Sequence, residues 1–557
     1  MISITHDLSS WTFRVSFYAK RCAFKPALST LLTMSSFLVI VGCSIEDNAN
    51  AVKLPHQQTQ NPWYQDGQQA LQDKQALMSL SKPGDAKNVI LFVGDGMGIS
   101  TLTAARILQG QLAGQSGEEN YLSFERFPFV GLSKTYNTDQ QTPDSAGTMS
   151  AIMTGVKTDA GIISISEEVE LGDCASGKNH SMMTALELAE LKGKSTGVVS
   201  TARITHATPA ATYAHAAHRG WENDAMIPAE QAPCKDIALQ LIEFEQRINQ
   251  TYAPLQVNGI EVLLGGGRRN FLPKDATFNE ENPNNEKPEG RREDGRHLVN
   301  EWKALYPQGE YVNNARDFST LDVSKASHIF GLFNPSHMRY EQDRSKDTLG
   351  EPTLSEMTEL AIKKLSQNDK GYFLMVEAGR IDHSHHAGNA YNALHDTIAL
   401  SDAVKTAVDS VNLKDTLIIV TADHSHVMTI AGYPKRGNPI LGKVMEQHET
   451  TPTLLEDGLP YTTLGYLNGR GMMELGDETD ANSSYDHDIN VGRHDITNID
   501  TTAPGYHQEA LHPRGSETHG GEDVGIFATG PGAEWVTGVN EQNVIFHVMN
   551  TAAGLSQ

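Results

Sequence analysis

The chain has 557 residues, with 44 Lys and Arg against 69 Asp and Glu, a formal net charge of -25. That balance argues against a non-specific nucleic-acid binder, because a phosphate backbone would be repelled rather than neutralised. Any anionic substrate would need local cations to overcome the bulk field, and the length allows several average domains or one large α/β enzyme.

Residues 1–42 read as a targeting segment. Basic Arg14, Lys20, Arg21 and Lys25 surround the start of a short apolar stretch over 27–41, diluted by Ser and Thr. It ends in Ile-Val-Gly-Cys, which is similar to a bacterial lipoprotein cleavage box with Cys43 as the lipid-bearing residue. An ordinary signal peptide cut nearby, or a poor membrane anchor, are the alternatives. The stretch falls short of the roughly 20 residues of a comfortable bilayer span, and nothing later is apolar enough to cross. The expectation is export, to the periplasm or to the outer-membrane or cell surface. Residues 43–86, rich in Gln, Asn and Asp without a clear period, read as a polar tether.

From Asn88 the text changes. NVILFV, TGVVST, EVLLGG, GYFLMVE, DTLIIVTA and DVGIFATG are short apolar runs ending in small or polar residues. SMMTALELAELKGK and PTLSEMTELAIKKLSQ between them have helical character. Alternation of this kind predicts an α/β fold with a largely parallel sheet covered on both faces. Ligands collect beyond the strands' carboxyl ends in such sheets, where Asp95, Glu377 and Asp423 fall. Residues 274–318 and 433–512 read as surface elaborations. Cys22 leaves with the signal and Cys43 goes to the lipid. Cys174 and Cys234 remain, as a disulfide in an exported protein or as two buried thiols.

Two stretches carry metal chemistry. In EAGRIDHSHH (377–386) Asp382 and His386 are four apart and share one helical face. In TADHSH, Asp423 and His424 follow a strand-like run. Carboxylate oxygen with imidazole nitrogen is a zinc-type ligand set and points to metal-dependent hydrolysis. VGDGMG (93–98) frees Asp95 between glycines, although such a turn alone is commonly just a turn. TPDSAGTMSAIMTG (142–155) puts Ser145 at a helix start, a plain N-cap on its own but an anion-facing hydroxyl beside a metal cluster. Residues 202–220 supply His206, Thr208, His215, His218 and Arg219. The Thr208 hydroxyl suits hard Mg²⁺, and the Arg219 fork suits two phosphoryl oxygens. His519 stands beside Gly-Gly before a strand.

FVGDGMG, PDSAGT, ITHATPAATYAH, LLGGGRRNF, FLMVEAGRIDHSHH, VTADHSH, GYPKRG and ETHGGEDV occur in this order. From Asn88 onward the chain therefore resembles the alkaline phosphatases, its wording being nearest the animal-type members. The resemblance implies a three-layer α/β/α sandwich over 87–557, with a crown-like insertion at 433–512, assembled as a homodimer. It implies one Zn²⁺ on Asp382, His386 and His519, and a second on Asp423, His424 and Asp95. It further implies Mg²⁺ on Asp95, Thr208 and Glu377, Ser145 as nucleophile and Arg219 as phosphate clamp. His206 and His383 match positions around the metals, and Cys174 and Cys234 match a disulfide of animal-type members. The implied activity is hydrolysis of small phosphate monoesters of broad range, through a phosphoserine and with an alkaline optimum. Two departures stand out. Gly147 replaces the more usual alanine, and Asn334 stands where an additional calcium site would need an acid, although Glu351 remains. The rival readings are a phosphodiesterase or sulfatase of the same superfamily, and a surface lipoprotein that binds metal or phosphate without turnover. Neither accounts for Ser145-Ala146-Gly147 together with the full ligand set.

Overall fold

The computed structural model describes residues 52–77, 86–177, 179–231, 234–475 and 487–556. The expected signal over 1–42 and the expected lipidation at Cys43 lie outside the described residues. Ten strands form the main sheet: β1 Asn88–Gly94, β2 Phe129–Lys134, β3 Ser195–Arg203, β4 Val262–Gly266, β5 Glu310–Val312, β6 Ile329–Leu332, β7 Tyr372–Ala378, β8 Thr416–Ala422, β9 Val524–Thr529 and β10 Gly538–Glu541. Their order is β10-β2-β9-β8-β1-β7-β3-β4-β6-β5. β9 runs antiparallel to both its neighbours, and the other pairings are parallel.

Strand alternation explains the layers. Along β1, Val89, Leu91 and Val93 enter one apolar cluster, while Ile90 and Phe92 enter another on the opposite face. The first cluster receives helices Ser145–Thr154, Ala185–Leu191 and Val544–Ala553. The second receives Ile99–Leu112, Leu354–Leu365 and Ala390–Ser410. Both sheet faces are thus dry, which is why the central strands read as unbroken apolar runs. Truncating one such side chain, Leu91 for example, should cost about 2–5 kcal/mol. Local signals agree: Leu354–Leu365 starts with a capping box between Thr353 and Glu356.

Two sequence expectations change. Within the expected tether, residues 52–77 carry helices His56–Gln60 and Pro62–Leu77 and belong to the same compact unit as the sheet. Val52, Tyr64 and Leu71 join the first cluster. Gln58 is fully buried, its amide donating to the carbonyls of Thr154 at 2.7 Å and Met183 at 3.2 Å. A polar composition hid this, because hydrogen bonds and a few apolar anchors do the holding. Residues 274–318 are likewise more than surface: Leu298, Val299 and Trp302 are buried, and β5 ends the sheet. In 433–512, Leu464–Gly469 pairs with Met428–Ile430 and with Ala510–Pro513 in a small separate sheet. Among the described residues no helix is long and apolar enough to cross a membrane.

Candidate active site

β8, β1, β7 and β3 are consecutive in the sheet, so their carboxyl ends line up. Asp95 follows β1, Glu377 lies next to last in β7, and Asp423 and His424 follow β8. Thr208 sits in the short helix Ala207–Ala210 just beyond β3. The turn after Asp95 needs a glycine. Gly96 has φ +70, and a Cβ there would come within 2.4 Å of the His426 ring. Its N–H donates to Asp423 Oδ1 at 3.0 Å.

Helix Arg380–His386 presents Asp382 and His386 on one face, with His386 Nε2 3.3 Å from Asp382 Oδ1. His519 arrives differently. His519–Gly520 pairs antiparallel with Ser425–His426 and brings His519 Nε2 to 3.3 Å from Asp382 Oδ1 and 3.2 Å from His386 Nε2. Beside this trio, His424 Nε2 lies 3.4 Å from Asp95 Oδ1 and 3.3 Å from Asp423 Oδ2. The outer ring nitrogens are engaged by carbonyls: His386 Nδ1 with Glu517 at 2.7 Å, His519 Nδ1 with Pro143 at 2.6 Å, His424 Nδ1 with Ser425 at 3.2 Å. A proton on each Nδ1 leaves each Nε2 lone pair facing the cluster, the tautomer a metal ligand requires.

Ser145 opens helix Ser145–Thr154, capped by Asp144, whose carboxylate accepts the Gly147 N–H at 3.0 Å. Ser145 is 1% exposed, its Oγ 3.1 Å from His424 Nε2 and 3.5 Å from Asp95 Oδ1. Arg219 donates to Asp144 Oδ2 at 2.8 Å and lies 3.3 Å from His206 Nε2. Asn137 donates to Asp144 Oδ1 at 3.1 Å. A Cβ on residue 147 would meet the Asn137 amide at 2.7 Å, which explains the glycine there.

The electrostatics are lopsided. Burial, then the fields of Asp423, Asp382 and Glu377, push Asp95 well above the carboxylate range. Burial first, with Asp423 and Asp382, pushes Glu377 up to about 8. Asp423 is also raised by burial. Burial works the same way on Asp382, but His386, His426 and His519 outweigh it and hold that group well below its usual value. Asp95 Oδ2, Asp423 Oδ2, Glu377 Oε1 and Thr208 Oγ1 are buried without hydrogen-bond partners. Buried charge without a partner is costly, and divalent cations would remove that cost. The donor set therefore fits metal: nitrogen and oxygen for Zn²⁺ at both His-containing trios, oxygen for Mg²⁺ at Asp95, Glu377 and Thr208.

Other expected residues fall as follows. His206 groups with Asp95 and Glu377 and, separately, with His337 and His383. Asn334 donates its amide to Glu351 at 2.9 Å, so these side chains engage one another at the doubtful calcium position. Burial and Asp347 push Glu351 up to about 8. His215 belongs to structure, 2.9 Å from Glu187, and His218 stacks on Trp221. Cys174 and Cys234 form a disulfide, Cα–Cα 5.7 Å and 60 residues apart, against the small cluster of Ile162, Ile165, Val169, Ala217 and Trp221. Closing that loop contributes about 4 kcal/mol on the chain-entropy account.

Sequence reasoning passed over His426, Glu517 and His337. His426 lies 2.8 Å from Asp382 Oδ1 and 2.5 Å from Glu517 Oε2. Burial opposes its protonation, yet Glu517 and Asp382 raise it to about 10, and its ring bridges those two carboxylates. The second histidine of TADHSH and the glutamate of SETHGG were its visible signals.

The alkaline phosphatase family model matches residues 86–555. Curated relatives include the tissue-nonspecific alkaline phosphatase of Gallus gallus, 43% identical over 496 residues, covering 88% of this chain and 89% of the relative. The alkaline phosphatase of Gadus morhua is 40% identical over 507 residues, covering 90% and 99%. Among solved structures, the Thermus thermophilus alkaline phosphatase aligns with TM-score 0.58 and 24% identity, over 90% of this chain and 96% of that one. The enzyme from the Antarctic bacterium TAB5 gives 0.55 and 23%, over 85% and 99%. These last two speak to the fold. The chain belongs to the alkaline phosphatase family and is a phosphomonoesterase of that kind.

Proposed function

We propose that the enzyme hydrolyses small phosphate monoesters through a phosphoserine on Ser145. Two Zn²⁺ would be held by Asp382, His386 and His519 and by Asp95, Asp423 and His424, and Mg²⁺ by Asp95, Thr208 and Glu377. Bound there, such cations supply Lewis-acid charge that lowers the pKa of oxygens near them and neutralises the phosphoryl group. Arg219 offers a planar fork to two phosphoryl oxygens, steadied by Asp144 on one side and His206 on the other. Ser145 Oγ attacks phosphorus in line with the departing alcohol oxygen, and water then cleaves the phosphoserine. Both attacking oxygens must lose a proton, which is the reason for an alkaline optimum.

One observation carries this reading: the Ser145 hydroxyl lies at a helix N-terminus within 3.5 Å of both His424 and Asp95, where buried oxygens lack partners. The test is turnover of p-nitrophenyl phosphate by protein loaded with zinc and magnesium. Ser145→Ala should lose at least about a thousandfold in kcat. Retained turnover in that variant, or faster cleavage of the bis-ester, would overturn the reading.

We infer further that residues 1–42 direct export and that Cys43 carries the lipid. The Cys174–Cys234 disulfide supports an oxidising compartment. Residues 433–512 are assigned to a crown-like surface of a homodimer. Cys43→Ser should move the protein from the membrane to the soluble fraction; unchanged membrane association would refute the lipid.

A further inference from the structure

Where LLGGGRRNF leaves β4, Gly267 takes φ +98 and Arg268–Asn270 make a tight turn. The two arginines of this turn have different fates. Arg268 is fully buried, paired with Glu289 and donating to the Leu332 carbonyl at 2.7 Å. Arg269 lines a cavity of about 320 Å³ together with Lys287, Arg291, Glu281 and Ser336. Among the described residues, no hydrogen bond or ion pair engages the side chains of Arg269, Lys287 or Arg291.

The anions nearby are accounted for. Glu289 is held by Arg268 and accepts the N–H groups of Glu280 and Glu281, each at 3.0 Å. Glu222, behind the turn, already takes Arg203 at 2.8 Å, Thr205 at 2.6 Å and Asn270 at 3.0 Å. Glu289 also lines the cavity but is committed to Arg268, so of the two acids described on its wall Glu281, whose carboxyl burial raises, is the one left to face three cations. Arg269 is correspondingly stressed: burial, then Arg203, with Arg291 adding, lower it to about 10 although Glu222 attracts it. The three cations on this wall thus outnumber the acid left to answer them.

The cavity also adjoins the catalytic groups. A Cβ on Gly267 would lie 3.0 Å from Arg203 Cβ, so the turn packs on Arg203. Arg203 touches His337 through its guanidinium. The His337 ring lies 5.3 Å from that of His206, and His206 is 3.3 Å from Arg219. A line of guanidinium and imidazole groups thus runs from the cavity to the phosphate clamp.

We propose that Arg269, Lys287 and Arg291 form a second anion site, built for a phosphoryl dianion. Its source is either a second phosphate carried by the substrate or free inorganic phosphate. Arginine's fork suits two phosphoryl oxygens, and the lysine adds a mobile charge. In a chain of net charge -25 such a site also gives an anion a local foothold.

The substrate arm rests on the monoesterase reading; the binding arm does not. Metal-loaded wild type, R269Q and the surface double variant K287A/R291A are compared on α,ω-alkanediol bisphosphates of increasing length and on the matching alkyl monophosphates. For a substrate-borne phosphate, wild type should show a KM about tenfold lower for one bisphosphate length. Both variants should lose that preference while keeping monophosphate kcat. Titration calorimetry with inorganic phosphate covers the other source: two sites in wild type, one in each variant. Failure of wild type to hydrolyse the monophosphate would sink the monoesterase reading and leave the titration to judge the cavity. A single phosphate site in wild type with no bisphosphate preference overturns the proposal. So does retention of both properties by the two variants.

Discussion

Two sets of buried acids in this molecule obey opposite rules. Glu222 and Glu187 are buried, yet each is answered by an arginine of the protein, with His215 also against Glu187. Arg203 grips Glu222, and His215 and Arg247 lie 2.9 and 2.7 Å from Glu187. Burial alone would raise these acids, but their partners win and hold them below the usual range. Asp95, Asp423 and Glu377 are as deeply buried with no arginine on them, and they are pushed up instead. The first set closes the fold; the second leaves a deficit of positive charge at the carboxyl ends of the strands.

The largest test of this contrast is removal of divalent ions. Chelation should abolish monoester hydrolysis and lower the melting temperature, since the Asp95–Asp423–Glu377 group loses its counter-charge. Zinc and magnesium together should restore both. An unchanged melting temperature would mean the deficit is met from within the protein. Next comes Arg219→Lys, which keeps one charge but loses the fork and one bond to Asp144. We expect kcat/KM to fall at least about tenfold while unfolding is little affected. Equal loss for phosphate binding and for folding would point to a structural role.

The self-satisfied set is tested by Glu187→Gln, read as stability against pH. The folded carboxyl sits at about 2, below an unfolded value near 4.5. A depressed group contributes its full stabilisation above the unfolded pKa and loses it as pH falls from about 4.5 toward 2. The variant should therefore be less stable by about 3 kcal/mol at neutral pH. That gap should narrow below pH ~4.5, while turnover per folded molecule stays unchanged. A constant gap across that range would locate the loss in packing.

How far the sequence foretold this depends on whether the signal is local. Asp382 with His386, and Asp423 after a strand, were visible because helix and strand spacing alone set their directions. The six apolar runs were legible because both sheet faces are covered. β2 was not, since Val130 and Leu132 are exposed and its buried set is small. β5 was hidden in a charged stretch, and Gln58 is a polar residue buried by backbone carbonyls, which hydropathy cannot register. His426 and Glu517 were missed because their roles arise from the two-residue ladder that joins His519 to His426 across the fold. Long-range pairing of that kind leaves no period in the text.

The smallest effect is the finest test. Gly147→Ala should help helix Ser145–Thr154 by propensity, by less than about 1 kcal/mol so near its start. Against that, the new methyl group would press on the Asn137 amide at 2.7 Å. Asn137 and the Gly147 N–H together hold Asp144 Oδ1, and Asp144 Oδ2 holds Arg219. Displacing Asn137 thus reaches Arg219, the proposed phosphate clamp, through a single carboxylate. Stability should change by under about 1 kcal/mol, because a helix gain offsets one lost hydrogen bond. Activity should drop severalfold, mainly in KM for the monoester. Asn137→Ala placed on top of Gly147→Ala should then add little, since the methyl group would fill the space the amide has left. If the double variant instead loses as much again as the single one, glycine at 147 serves something other than Asn137, and the chain from Asn137 through Asp144 is not what sets Arg219.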